Sequence, residues 1–226
     1  YESMTDQAVA ERLRACGPWV QALLRQMLPL SPVDTRPTGL RFVVIDASRM
    51  QAPGAPGTDH RLHIAMDLLS WQFVAVLVTD VHTGATLTHF TLRRGDVAVA
   101  DRGYAHAQGM SEAVKKGADL IVRLNPFSIV LFDQKQQPLA LCATLKRQKM
   151  ETLRTLAVVL QSTCGQHTVR GWVHAYRLSA EQAGRARQKC RQRHKKGAPK
   201  AESLFLAGWV LVLTTLSPAM LSAQTI

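Results

Sequence analysis

The sequence predicts an α/β fold, a mixed sheet with a β-rich insertion that carries a basic helix. Three observations predict it. Near-continuous apolar runs at 41–46, 96–101 and 119–124 read as strands buried on both faces. Two turn-bounded apolar segments, 60–69 and 71–80, read as a strand meander. A helical pattern over 104–116 separates two of the buried runs, the order of alternating strand and helix. The 226 residues are enough for one domain with an insertion, or two small ones, and for a sizeable core.

Each element has a local reason. Residues 3–28 read as two helices. Ser3 and Asp6 resemble a capping pair, and Val9, Leu13 and Cys16 keep a helical period. Gly17-Pro18 interrupts the pattern and Pro18 suits the start of the second helix. There Trp19, Leu23, Leu24, Met27 and Leu28 form a packing stripe, and Pro29, Pro32 and Pro37 mark a linker. RFVVID (41–46) is a buried strand ending in an acid, and QAPGAPGTD (51–59) is a loop. The meander follows, then HTGATLTHF (82–90), a turn or short helix. DVAVADRGY (96–104) is a short strand ending in Asp101. Tyr104 to Lys116 is a helix stopped by Gly117, and DLIVRL (119–124) is a further strand. A meander feeding alternating strand and helix is the RNase H-like pattern.

After Asn125 the texture changes. SIVLF, PLALCATL, TLAVVL and HTVRGWVHAYRL read as strands of an insertion. Ser179 with Gln182 forms a capping box for a basic helix that Gly197 and Pro199 end. Leu204 to Leu216 returns as a buried strand, too short to span a bilayer. The expected division is 1–38 (helices and linker), 39–124 (first part of the core), 125–203 (insertion) and 204–226 (return strand).

With 46% hydrophobic and 19% charged residues the chain is not disordered overall. Cys16, Cys142, Cys164 and Cys190 are widely spaced with no CxxC, which argues against a zinc site or a disulfide scaffold and for reduced thiols. No signal-peptide pattern opens the chain. The start at Tyr1 and the end at LSAQTI read as cuts from something longer.

The net charge of +12 is concentrated. Residues 141–200 hold fourteen Lys and Arg against Glu151 and Glu181, and the remainder balances. The densest part holds Arg185, Arg187, Lys189, Arg191, Arg193, Lys195, Lys196 and Lys200. So local an excess, with almost no acid to pair, suits a polyanion such as nucleic acid better than a solvated face. The small residues Ala183, Ala186 and Cys190 on its other side disfavour a membrane surface.

Two acids stand out. Asp46 follows Phe42 to Ile45, and Asp101 follows VAVA. A carboxylate beside a core strand is costly unless paired or bound to a cation. Ligands of open α/β sheets sit at strand carboxyl ends. If the two strands are neighbours, both carboxylates converge there and share a divalent metal of the Mg²⁺ type, suited to phosphodiester chemistry. Asp67, Asp80 and Asp96 read as ordinary strand or turn ends.

VIDAS (44–48), GTDHRLHIAMDL (57–68), GDVAVADRGYAH (95–106) and LIVRLN (120–125) resemble the core of DDE transposases of bacterial insertion sequences, in particular the insertion-sequence-four family. The basic helix followed by ESLFLAGWVLVLTTL (202–216) resembles it too, so the likeness runs from about residue 40 onward. The resemblance implies an RNase H-like core interrupted by a β-rich insertion, with Asp46 and Asp101 as the first two catalytic, metal-holding carboxylates for Mg²⁺ or Mn²⁺. It implies cleavage and transfer of double-stranded DNA at transposon ends and target, in the bacterial cytoplasm at the nucleoid, as a possible homodimer. Arg102, Gly103 and Tyr104 match the family motif after the second acid, with Arg102 a phosphate ligand or an ion-pair partner. Arg61 and His63 match an R-x-H pattern, with His63 a satisfied core histidine or a residue facing the site. The family's third acid lies in a Tyr…Arg…Glu…Lys pattern that would fall beyond Ile226. Glu202 precedes the return strand and does not replace it. The alternatives are a non-catalytic DNA-binding remnant and another RNase H-like nuclease. No GxGxxG or P-loop pattern is present.

Overall fold

The computed structural model of the protein describes residues 5–27, 39–51, 54, 57, 59–127, 129–147, 152–162, 165–193 and 198–220. Ser3, Leu28, the three linker prolines, Cys164, Lys195, Lys196 and Gly197 lie outside the described residues.

Helices α1 (Asp6–Ala15) and α2 (Gly17–Met27) form where the periodicity expects them. Within the described residues the first helix is capped by Thr5, whose Oγ1 accepts the Ala8 N–H at 3.3 Å. The second lies against strand β3 (Phe73–Asp80). Its stripe is only partly buried: Trp19 is 64% exposed and Leu23 38%.

The described strands form one nine-stranded sheet in the order β3-β2-β1-β4-β5-β9-β8-β7-β6. Strands β1 (Arg41–Met50), β2 (His60–Asp67) and β3 make the expected antiparallel meander. Strand β1 pairs in parallel with β4 (Asp96–Ala100), and β4 in parallel with β5 (Asp119–Arg123). This is the mixed, RNase H-like half. Between β3 and β4 the ambiguous stretch is a 3₁₀ turn, Leu87–His89. Between β4 and β5 runs α3 (Ala107–Lys115), which begins later than expected because a 3₁₀ turn, Arg102–Tyr104, follows β4. Gly117, at φ +84°, stops α3 with its N–H on the Val114 carbonyl at 2.9 Å.

The strands that follow continue the same sheet. Strand β9 (Trp209–Thr214) pairs antiparallel with β5 and with β8 (Thr168–Arg177). Beyond β8 lie β7 (Leu153–Gln161) and the short β6 (Val130–Phe132). At the β8–β9 seam, a Cβ on Gly171 would collide with the Thr214 carbonyl, so glycine permits the close approach.

Two expectations are corrected. PLALCATL is not a strand: after Pro138 the chain turns into α4 (Leu141–Lys146), which buries Leu141 and Leu145 one helical turn apart. The start of the apolar run Leu204–Leu216 belongs to α6 (Ala201–Leu206), and Gly208 precedes the strand proper. The capping box holds. Ser179 Oγ accepts the Gln182 N–H at 3.3 Å, Gln182 Oε1 accepts the Ser179 N–H at 3.4 Å, and α5 (Ala180–Arg193) follows.

One contact aligns the two central parallel strands. Arg41 and Asp96, 4% and 0% exposed, form a buried fork: Nε donates to Oδ1 at 2.9 Å and Nη2 to Oδ2 at 2.8 Å. They are the first partners of the β1–β4 ladder. Asp96, which sequence reasoning gave no role, is fully buried, and Asp67 is buried as well at 6% exposure. Asp67 and Asp80 cap turns, as their sequence contexts indicate.

Candidate active site and basic groove

Asp46 and Asp101 each lie five residues after a member of that buried pair. The ladder runs Arg41↔Asp96 through Ile45↔Ala100, so the next residue on each strand is one of the two aspartates. Ile45 and Ala100 point into the core, and alternation sends both aspartates away from it. Both are exposed. The desolvation argument that singled them out is therefore replaced by a positional one: Asp101 follows the end of β4, and Asp46 lies beside it where the parallel β1–β4 pairing ends, while β1 itself continues past the expected limit to Met50, paired with β2. Asp101 also opens the 3₁₀ turn, its Oδ1 accepting the Gly103 N–H at 2.7 Å. One of its oxygens is thus fixed and the other is left for a ligand.

Two adjacent carboxylates offer hard oxygen donors. A cation of the Mg²⁺ class, which takes one or two carboxylates and completes its shell with water and phosphate oxygens, fits that set. Among the described residues no group of three or more His, Cys, Asp or Glu side chains is arranged to hold a metal.

Below the carboxylates the polar side chains are structural. His63 is fully buried, with Nε2 2.9 Å from Thr79 Oγ1 and its ring edge-on to His89 at 4.8 Å. Burial, then His89 and Arg61, hold its pKa down at about 4, so the ring is neutral at pH 7. Arg61 donates to the Thr83 carbonyl at 3.2 Å. Tyr104 is 1% exposed, with a buried hydroxyl that has no partner among the described residues. Burial, followed by the charges of Asp46 and Asp101, pushes its pKa well up.

A groove of about 780 Å³ opens beside Asp101. Arg102 follows Asp101 into it, Arg123 enters from the end of β5, and Arg185, Lys189 and Arg193 enter from α5. Those three recur every fourth residue and so share one helix face. Its floor is apolar, with Leu206, Trp209 and Leu211, and Phe127, 58% exposed, stands at its edge. Arg102 holds its proton less firmly than usual, first through burial and then through the nearby Arg123 and Arg193, with Asp101 partly compensating. Mutually repelling guanidinium groups beside one carboxylate are relieved by an anion, and guanidinium forks match phosphate oxygens.

Within the groove one cation has a carboxylate partner, and two other expected cations lie outside it. Arg185 pairs with Glu181 at 2.6 Å, but both are more than 70% exposed, so the pair holds little. Arg187 turns back to the protein, donating from Nε to the Leu204 carbonyl at 3.2 Å and so tying α5 to α6. Arg191 is exposed and does not line the groove. Arg123 was missed in the sequence, although a signal was present. It is a basic residue at the end of a buried strand, in the position Asp46 and Asp101 hold on theirs.

A sequence model of the transposase DDE domain family matches residues 37–225. Among curated proteins, the chain is 30% identical over 125 residues to one named as the transposase InsL for insertion sequence element IS186A of Escherichia coli strain K12. The same figures hold for the transposase of insertion sequence element IS421 of Escherichia coli. Each match covers 54% of this chain and 34% of the relative, so the chain spans about a third of the relatives' length. No helix among the described residues is long and apolar enough to cross a membrane. With a family match running from before β1 past β9, through both aspartates and the basic groove, the chain belongs to the transposase DDE domain family.

Proposed function

We propose that this chain carries the DNA cleavage and strand-transfer chemistry of transposition. In this reading Asp46 and Asp101 are its first two metal-holding carboxylates and the basic groove seats a DNA strand. The observation that carries the reading is the β1–β4 register, which makes the two aspartates neighbours at one sheet edge, with the groove opening beside Asp101.

Transposase DDE domains generally use a divalent metal, and the oxygen donors here suit Mg²⁺ or Mn²⁺. Such an ion, when bound, activates an attacking hydroxyl and stabilises the leaving oxygen of a phosphodiester displacement. The chain's own residues do the rest. Asp46 and the free oxygen of Asp101 hold the ion, while the Gly103 N–H keeps Asp101 oriented. Arg102, Arg123 and Arg193 take non-bridging phosphate oxygens. Arg185 and Lys189 extend that contact along the backbone, and Arg191, Lys195 and Lys196 add to the field of the same helix. Water or a terminal 3′-hydroxyl would give up its proton to solvent and form the new P–O bond as the bond to the departing 3′-oxygen breaks, that oxygen leaving as a 3′-hydroxyl.

Double-stranded DNA of transposon ends and target, action as a homodimer on paired ends, and a place at the bacterial nucleoid follow from the family resemblance. The reading concerns two carboxylates, Asp46 and Asp101. The test is metal-dependent strand transfer and Mn²⁺ binding in Asp46→Asn and Asp101→Asn variants. Both are expected to lose transfer and Mn²⁺ binding, with DNA affinity within about twofold of the parent because neither contributes a cation. Transfer retained by either variant overturns the reading.

A further inference from the structure

We propose that Arg93, Arg94, Lys115 and Lys116 form a second contact for the backbone of duplex DNA, outside the groove and at the opposite end of β4 and β5 from Asp101 and Arg123. The proposal does not depend on the roles given to Asp46, Asp101 or the groove.

Outside residues 141–200 the chain is neutral by count, but the fold separates its charges. Arg93 and Arg94 lie on the turn that leads into β4, and Lys115 and Lys116 on the last turn of α3, which leads into β5. All four are exposed. The two pairs meet in space: a Cβ on Gly117 would lie 3.2 Å from the Arg94 Cβ. The acids of this end are less accessible. Asp96 is buried in its fork with Arg41. Asp119 is half-buried and accepts the Thr215 hydroxyl at 2.7 Å. Glu112 takes Lys115 at 3.0 Å, in a solvent-exposed pair that holds little. Among the described residues no carboxylate pairs with Arg93, Arg94 or Lys116. Three cations therefore face solvent without a partner.

The backbone that carries the arginines is held firmly. The Arg93 N–H donates to Asp96 Oδ2 at 3.0 Å, and the Asp96 N–H returns to the Arg93 carbonyl at 3.0 Å. The Gly95 carbonyl accepts the Arg41 N–H at 2.8 Å. The buried Arg41–Asp96 fork thus anchors the turn from below, and little backbone ordering is left to oppose binding. Fixed guanidinium groups with no carboxylate of their own suit phosphate oxygens. A lipid surface would also call for apolar groups among the cations. The exposed Leu69 and Trp71 belong instead to the β2–β3 turn, and β1 lies between β2 and β4. Strand β4 alone separates the quartet from Asp101 by about 17 Å, so these phosphates are additional to those the groove takes.

The test reverses Arg93, Arg94 and Lys116 together to Glu, in the parent and in a protein already reversed at Arg185, Lys189 and Arg193. DNA affinity is measured by fluorescence anisotropy on a duplex across a range of salt, with melting temperature as the folding control. In both backgrounds the salt slope should fall by about 0.9 for each phosphate lost, between about 2 and 3 in all. If the reversal lowers the melting temperature, Arg93→Gln, Arg94→Gln and Lys116→Gln together should give the same direction without added repulsion. A slope unchanged in both backgrounds would make the quartet solvated surface and overturn the proposal. So would loss of binding to phosphatidylserine vesicles with an unchanged DNA slope, which would assign the quartet to lipid. A slope that falls with this reversal but not with that of Arg185, Lys189 and Arg193 would refute the groove and leave this contact standing.

Discussion

Replacing Asp96 by asparagine removes the charge that holds the buried Arg41 guanidinium. The aspartate accepts at least three hydrogen bonds: Nε on Oδ1, and Nη2 and the Arg93 N–H on Oδ2. Asparagine keeps one acceptor oxygen and presents an NH₂ group to a second donor. With Arg41 only 4% exposed, water cannot replace the missing acceptor. Removing one partner of a buried pair costs about 3–5 kcal/mol. At about 2–4 °C per kcal/mol for a domain of this size, the melting temperature should fall by about 6–20 °C. Thermal and urea unfolding followed by circular dichroism measure it. The double variant Arg41→Met with Asp96→Leu leaves no orphaned charge and should melt close to the parent, because apolar replacement of a buried pair is often neutral or stabilising. A loss below about 1 kcal/mol in the single variant would be the behaviour of a surface pair. It would refute the claim that this contact aligns β1 with β4.

Three further perturbations probe the buried histidine, the groove and Arg187. His63, held at about 4 against an ordinary 6.5, stays neutral in the fold where the unfolded chain would bind a proton. Its contribution to stability is therefore complete above about pH 6.5 and declines as pH falls towards 4. The melting temperature should drop across that window, and less steeply in His63→Gln, and parallel curves would contradict this. Charge reversal at Arg185, Lys189 and Arg193 should weaken binding to DNA of any sequence and reduce the salt slope by about 0.9 for each phosphate no longer neutralised. Arg187→Gln should instead lower the melting temperature with little change in slope, since that guanidinium serves the Leu204 carbonyl. A slope unchanged by the triple reversal would make this helix face plain solvated surface.

The core half of the fold was legible because its signals are local. Apolar runs ending in Asp46 and Asp101, the glycine stop at Gly117 and the Ser179–Gln182 box each state an element and its limit within a few residues. The failures are equally physical. PLALCATL is a short apolar run, and such a run fits a strand or one helical turn alike; only the burial of Leu141 and Leu145 in the core decides it. The roles of Asp96 and Arg187 depend on partners 55 and 17 residues away, and sequence context does not reach that far. For the candidate site, adjacency of the two aspartates was inferred from strand ends. The place of Arg123 in the groove lining and the isolation of the Tyr104 hydroxyl among the described residues come from the tertiary arrangement.

Strand direction explains why a helix some eighty residues downstream reaches Asp101. Strands β1, β4 and β5 are parallel, so Asp46, Asp101 and Arg123 line up at the carboxyl end of their shared pairing, although β1 runs on to Met50 beside β2. Strand β9 runs against β5, and β8 runs against β9, so β8 has the direction of β5 again. Its last residue, Arg177, therefore lies at the edge of the carboxylates, and α5 starts three residues later. Two reversals bring the basic helix to the site; a single one would deliver it to the opposite edge, beside the Arg41–Asp96 pair. The same geometry gives the close β8–β9 seam its consequence. Gly171 lets the Thr214 carbonyl approach, and that seam joins the strand that launches α5 to the sheet that holds the aspartates. The net charge of the segment would be unchanged by a shift of that seam, yet Arg185, Lys189 and Arg193 would no longer face Asp101. What matters for the groove is where the sheet delivers its cations, as well as how many the sequence supplies.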